Sequence, residues 1–389
     1  MRKFRFVSIA ALALMSMTSC SRQQNVKNVI YLIGDGMGFG AVTSLLLSED
    51  EVTGFEQAPV VGFSETCSAD NYVTDSAAGG TALATGTRTN NGYIGVDPDG
   101  NQLTSILRKA QTLGMKTGIV VNTTLTEATP ASFYAGVNSR YKTYDIAKQF
   151  TESNVDVAIG AGLDRFIGRP DSLDLTATLI EKGYDVYLNW SSVLKSDSDK
   201  FVGILPLADV HRKEKDRSIT AKAAEGQEVC LAAELAAAAG EEVASDFSEP
   251  TVYLEKAVGK ALDVLSRDNK KGYFLMIESA IIDGYGHNND GEGMVTEMKE
   301  FNNTLNQLVA YVNEHPETLL VVTADHETGG VGSSYTAYDK PLQIIFSTRG
   351  HTGTVVPIFA YGPGAENFAG VMKNTDIPKK IESLLKYNL

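Results

Sequence analysis

The chain has 389 residues, 43% of them hydrophobic, and a formal net charge of −14 at pH 7. That length can bury a large core, as one big α/β unit or as two domains. The acidic balance excludes a nucleic-acid binder that tracks phosphates with a basic surface. Any affinity for an anion must come from local cations, metals or a placed arginine.

The N-terminus opens with Met1-Arg2-Lys3-Phe4-Arg5, runs apolar from Phe6 to Met17 and reaches Thr18-Ser19-Cys20. This pattern predicts a bacterial export signal over residues 1–19, with an apolar run too short to span a membrane. Cys20 stands where a lipoprotein signal peptidase would cut and lipid would be attached. The alternative is a plain secretory signal in which Cys20 is incidental. Residues 20–27 then form a short tether and 28–389 the folded domain. Loss of Arg2, Lys3 and Arg5 takes the formal charge from −14 to −17. The expectation is an exported protein, periplasmic or held at the outer membrane, touching a membrane only through Cys20. Cys67 and Cys230 could form one disulfide or remain separate thiols.

From Asn28 onward, apolar runs alternate with helical patterns. Strands are expected at Asn28–Ile33, Thr117–Val121, Val155–Ile159, Tyr273–Ile277, Leu319–Thr323 and Val356–Tyr361. Helices are expected at Leu103–Leu113, Asp145–Ser153, Leu173–Lys182, Val252–Asp268, Met294–Glu314 and Lys379–Lys386. Continuous apolar strands between helices predict an α/β fold with a mostly parallel sheet covered on both faces. Ligands of such sheets bind beyond the carboxyl ends of the strands, where most candidate residues fall. The charged stretch Asp164–Lys215 reads as surface insertions, and the Ala- and Glu-rich Ala221–Val243 as a helix without chemistry.

Three groups of residues carry chemistry. The first is Tyr72–Gly86, where Asp75-Ser76 precedes a run of small residues. Ser76 would sit at a helix N-terminus whose free N–H groups and dipole favour an anion; taken alone, the pair also fits an ordinary helix cap. The second comes from the five histidines. Asp283 and His287 lie four apart, Asp325-His326 ends a strand, and His351 lies in Gly350-His351-Thr352-Gly353. Carboxylate and imidazole together suit zinc. His211 and His315 have no such neighbours. The third group is oxygen-rich: Asp35 in Gly34-Asp35-Gly36-Met37-Gly38, Glu127 and Thr129 in Glu127-Ala128-Thr129-Pro130, and Glu278 at a strand end. Buried carboxylates need a partner or a metal, and all-oxygen ligands suit magnesium.

With these motifs assembled, the chain resembles the alkaline phosphatase family from Asn28 to about Gly364. The resemblance rests on NVIYLIGDGMG (28–38), TDSAAGGTALATG (74–86), EATP (127–130), ESAIIDGYGH (278–287), TADH (323–326) and HTG (351–353). It implies a three-layer α/β/α sandwich and hydrolysis of small phosphate monoesters through a phosphoserine. By the resemblance, Asp283, His287 and His351 would hold one zinc, and Asp35, Asp325 and His326 a second zinc that also contacts the nucleophile Ser76. Asp35 would bridge to a magnesium completed by Thr129 and Glu278, with Glu127 beside it where relatives carry Asp or His. Arg140 would clamp the phosphate. Gly284 has no side chain where some relatives place a basic or aromatic one.

Rival readings fit the same residues. Thr74 is a second hydroxyl near Ser76, which keeps a phosphodiesterase or nucleotide phosphatase of the same superfamily in view. A phosphate-binding lipoprotein without turnover would have lost a ligand or the nucleophile, and none is lost. The segment from His326 to His351 is too short for a large dimer-capping insertion, so a homodimer stays open.

Overall fold

The computed structural model describes residues 25–207, 253–335, 337–338 and 340–386. The expected signal and Cys20, the Ala221–Val243 helix and Cys230 lie outside the described residues. Cys67 is a free thiol that donates to Glu65 Oε1 at 3.3 Å. No helix among the described residues is long and apolar enough to cross a membrane.

Fourteen strands are described: β1 Asn28–Gly34, β2 Val60–Glu65, β3 Lys116–Thr124, β4 Val157–Ala161, β5 Asp185–Tyr187, β6 Phe201–Leu205 and β7 Tyr273–Ser279, then β8 Thr318–Thr323, β9 Glu327–Thr328, β10 Val331–Ser333, β11 Ile344–Phe346, β12 His351–Thr352, β13 Val356–Tyr361 and β14 Gly370–Lys373. Ten of them form one sheet in the order β14-β2-β13-β8-β1-β7-β3-β4-β6-β5. Only β13 runs antiparallel to its neighbours in that sheet. Along β1, Val29, Tyr31 and Ile33 face one apolar layer while Ile30 and Leu32 face the other. Burial on both faces explains why this strand reads as an unbroken apolar run.

Helices cover each face, giving the expected three layers. One face holds Ser76–Thr85, Ile106–Thr112, Thr143–Phe150, Leu175–Glu181 and Asp376–Lys386. The other holds Phe39–Leu46, Trp190–Lys195, Tyr253–Ser266, Ile281–Asn288 and Gly291–Glu314.

The reading of Asp164–Lys215 as surface insertions is corrected by the structure. This stretch supplies β5 and β6, two strands of the main sheet, and every residue of β6 is buried. Phe201-Val-Gly-Ile-Leu205 is itself an unbroken apolar run, with Phe201 and Leu205 in one apolar layer and Val202 and Ile204 in the other, but the charged residues around it masked the signal. The predicted Leu173–Lys182 helix is present there as Leu175–Glu181. β2 and β14, at the opposite edge, carried no sequence signal of comparable strength.

Candidate active site

The central strands end in register, and their carboxyl ends carry the site. Ile33 of β1 pairs with Glu278 of β7 on one side and Thr323 of β8 on the other. Asp35 follows β1, Asp325 and His326 follow β8, and Thr129 lies in the short Ala128–Ala131 helix after β3. Asp283 and His287 stand one turn apart on the Ile281–Asn288 helix. His351 comes from β12, which pairs with β9 just beyond His326.

Ser76 opens a ten-residue helix, but the cap belongs to Asp75, whose side chain accepts from the Ala78 N–H. The Asp75-Ser76 pair does cap the helix, through Asp75, so the Ser76 hydroxyl is not used for capping. Ser76 Oγ lies 3.2 Å from His326 Nε2. The Thr74 hydroxyl instead donates to the Asp75 carbonyl at 3.0 Å. Gly79 makes the placement possible, because a Cβ there would lie 2.9 Å from the Asp325 carbonyl oxygen. Arg140 reaches Asp75 Oδ2 at 3.4 Å and Glu127 Oε1 at 2.9 Å. Burial works against its charge, yet these two carboxylates hold its pKa above the usual arginine range. Asp75 therefore caps the serine helix and steers the arginine. Its place beside Ser76 was visible in the sequence, but that double role was not.

Among the described residues, two groups could hold a metal ion: Asp283 with His287 and His351, and Asp35 with Asp325 and His326. In the first, the two histidine Nε2 atoms lie 3.1 Å apart, and they reach Asp283 at 3.3 and 3.4 Å. His287 Nδ1 donates to the Arg349 carbonyl and His351 Nδ1 to the Thr74 carbonyl. A carbonyl can only accept, so both Nε2 atoms are left for a proton or a cation. In the second group His326 Nε2 lies 3.5 Å from Asp35 and 3.4 Å from Asp325. Burial pushes the His326 pKa down to about 3, so the ring is neutral and these contacts are not ion pairs. The His326 and His351 rings stack at 3.6 Å, which sets the two clusters side by side.

The carboxylates behave as a site built for cations. Asp325 Oδ1 accepts from the Gly36 and His326 N–H groups, leaving Oδ2 unpartnered. Asp35 Oδ1, both Glu278 oxygens and Thr129 Oγ1 are likewise buried without a hydrogen-bond partner. Burial raises the pKa of Asp35 and Glu278 well above the carboxylate range, with neighbouring acids adding to it. Burial also pushes Asp325 up to about 7. Asp283 goes the other way: burial opposes its charge, but bonds to His287 and His351 hold it low. Such a group of acids is costly unless cations neutralise it. The residues present therefore fit two mixed N/O sites and an adjoining oxygen site. The buried oxygens of Thr129 and Glu278 could supply the last, while Glu127 turns one oxygen onto Arg140.

Without metal, protons must take the cations' place, and this makes stability depend on pH. Bonding to Asp283 raises His287 to about 9, and Asp325, Asp35 and Glu278 are raised as well. Between pH 6.5 and 9 the folded chain binds more protons than the unfolded one, so its stability falls as pH rises. His326, the opposing group, has no proton in the folded chain here, and in the unfolded chain it gives up its remaining share between pH 6.5 and about 7.5, beyond which it no longer opposes the trend. Urea unfolding of the chelator-treated chain should give a lower midpoint at pH 9 than at pH 6.5, and added zinc should shrink the difference. A midpoint that rises with pH would contradict the electrostatic picture.

Known proteins of one family resemble this chain over nearly all of its length. The family model described as Alkaline phosphatase matches residues 26–339 and 332–387. Alkaline phosphatase 3 of Bacillus subtilis is 28% identical, covering 94% of this chain and 90% of its own length. Alkaline phosphatase of Escherichia coli K12 is 28% identical over 90% of this chain and 84% of its own. The solved structure of alkaline phosphatase from the Antarctic bacterium TAB5 is 31% identical, with a TM-score of 0.79 over 95% of this chain and all of its own. A mutant of that protein, with one histidine replaced by glutamate, is described with Mg bound in the M3 site.

Proposed function

The chain belongs to the alkaline phosphatase family, and from that premise we propose that it hydrolyses phosphate monoesters through a phosphoserine on Ser76. Two zinc ions and one magnesium would serve it. The observation that carries this reading is the Ser76 hydroxyl at a helix N-terminus, not used for capping, 3.2 Å from His326 Nε2 and beside unpartnered buried acids. Asp283, His287 and His351 would hold one zinc, and Asp35, Asp325 and His326 the other. Asp35, Thr129 and Glu278 would hold magnesium, which the Mg-bound TAB5 mutant supports. Bound there, the cations act as Lewis acids that offset phosphoryl charge and ease deprotonation of a hydroxyl or water.

Ser76 Oγ attacks phosphorus in line as its proton leaves to solvent. The bond from phosphorus to the alcohol oxygen breaks, and the departing oxygen takes up a proton. Water then attacks the phosphoserine from the side the alcohol left, releasing inorganic phosphate and restoring Ser76. Two displacements give net retention at phosphorus. The planar guanidinium of Arg140 can bind two phosphoryl oxygens at once. Asp75 and Glu127 hold it ready, so little ordering is needed when substrate arrives.

The sequence motifs at residues 1–20 support an exported chain, anchored through lipid on Cys20. The diesterase alternative is weakened by the Thr74 hydroxyl, which is already engaged with Asp75. Turnover of p-nitrophenyl phosphate against bis-p-nitrophenyl phosphate decides between the two. The monoester should have the higher kcat/KM, and a faster diester would overturn the reading.

Gly284 follows Asp283 on the site helix, and a Cβ there would meet nothing within 4 Å. A lysine at this position has room and adds a cation near the phosphate. Gly284→Lys should tighten inhibition by inorganic phosphate by roughly fivefold, the equivalent of about 1 kcal/mol. An unchanged inhibition constant would remove Gly284 from the phosphate's surroundings.

A further inference from the structure

Thr328 is fully buried, and its hydroxyl touches a ligand residue of each cluster. Oγ1 donates to Asp283 Oδ1 at 2.5 Å and lies 3.2 Å from His326 Nδ1. A hydroxyl has one proton, and the Asp283 carboxylate can only accept, so the proton goes there. The oxygen's lone pair then faces His326 Nδ1, which must carry the N–H. That assigns the His326 tautomer and leaves Nε2 as the lone pair aimed at Asp35, Asp325 and Ser76. One side chain therefore orients a carboxylate of the half-buried Asp283, His287 and His351 cluster and an imidazole of the buried Asp35, Asp325 and His326 cluster.

Packing holds the heavy atoms of the side chain in place and leaves only the hydroxyl proton free to turn. Gly36 has φ +70°, and a Cβ on it would lie 2.9 Å from Thr328 Oγ1. A Cβ on Gly286 would lie 2.8 Å from Thr328 Cγ2. The Thr328 N–H donates to the Gly36 carbonyl at 3.2 Å, and in the β9–β12 register Thr328 pairs with His351. Two glycines thus close around the threonine, and its backbone is tied to both clusters.

We propose that Thr328 is a positioning residue that couples the two clusters. A cation held by Asp283, His287 and His351 fixes Asp283, which fixes the Thr328 hydroxyl and in turn the His326 ring. Affinity for a second cation at Asp35, Asp325 and His326 rises, and by linkage the reverse holds equally. The inference rests on the reading of both clusters as metal sites.

Zinc titrated into the chelator-stripped full chain tests it, using wild type, Thr328→Val and Thr328→Ser, each with and without His287→Ala. Valine keeps the volume and loses the hydroxyl, so zinc affinity should fall about 10- to 100-fold at both clusters, and serine should restore it. His287→Ala should weaken zinc binding at the remaining cluster in the wild-type background and add nothing beside Thr328→Val. The His326 Nδ1–H proton resonance should persist in Thr328→Ser and be lost in Thr328→Val, an effect that packing alone would not produce. Wild-type affinities in Thr328→Val, or an equal effect of His287→Ala in both backgrounds, would overturn the coupling. Failure of wild type to bind zinc would instead overturn the metal reading itself. Should Thr328→Val not fold, Thr328→Ala also lacks the hydroxyl and carries the same prediction.

Discussion

Ser76→Ala should lower kcat/KM for p-nitrophenyl phosphate by about 1,000-fold or more, equivalent to roughly 4 kcal/mol of transition-state stabilisation. The variant should fold normally. Asp75 supplies the helix cap through its bond to Ala78, and alanine suits the first turn of a helix already rich in small residues. Only the Ser76 oxygen, the proposed nucleophile, is lost. Arg140, still held by Asp75 and Glu127, should continue to bind phosphate, so inhibition by inorganic phosphate should change far less than turnover. Retained turnover in the alanine variant would remove Ser76 from the reaction.

Asp325→Asn should act in opposite directions on activity and on metal-free stability. Asparagine keeps an oxygen to accept from the Gly36 and His326 N–H groups. It replaces the unpartnered Oδ2 with an amide that cannot ligate a cation. Zinc content should fall by one ion per chain, and kcat/KM by about 1,000-fold, since charge stabilisation at the phosphoryl group is the larger part of such catalysis. Burial pushes the Asp325 pKa up to about 7, so at pH 8 its charge costs stability that the neutral amide spares. The metal-free variant should therefore unfold at higher denaturant concentration than the metal-free wild type at pH 8. Loss of activity together with lower metal-free stability would mean that Asp325 serves the fold and not a cation.

Much of this site was legible in the sequence because its residues cluster at strand ends. Asp35, Glu278 and Asp325 each close or follow an apolar run, and a carboxylate in that setting has few uses other than a cation. The continuous apolar character of β1, β7 and β8 likewise announced a sheet buried on both faces. Other parts left no local trace. The roles of Asp75 and Thr328 depend on what lies opposite them, through Arg140 in one case and through Asp283 with His326 in the other. β6 is a five-residue apolar run buried by the layers on both faces of the sheet, but it stands inside a charged stretch whose composition reads as surface. Glu127 shows the same limit. The resemblance placed it beside the oxygen cluster, and it lies close enough to act on Glu278, but its bond to Arg140 left no trace in the sequence.

The central claim is that Ser76 carries the phosphoryl group between substrate and water. Acid quenching of the full-length enzyme during turnover of a phosphorus-labelled monoester, followed by peptide mapping, tests it most directly. Label should be found as a phosphoester on Ser76 and be absent from the Ser76→Ala chain. Label on Thr74 at comparable turnover, or none on the peptide that contains both residues, would contradict it.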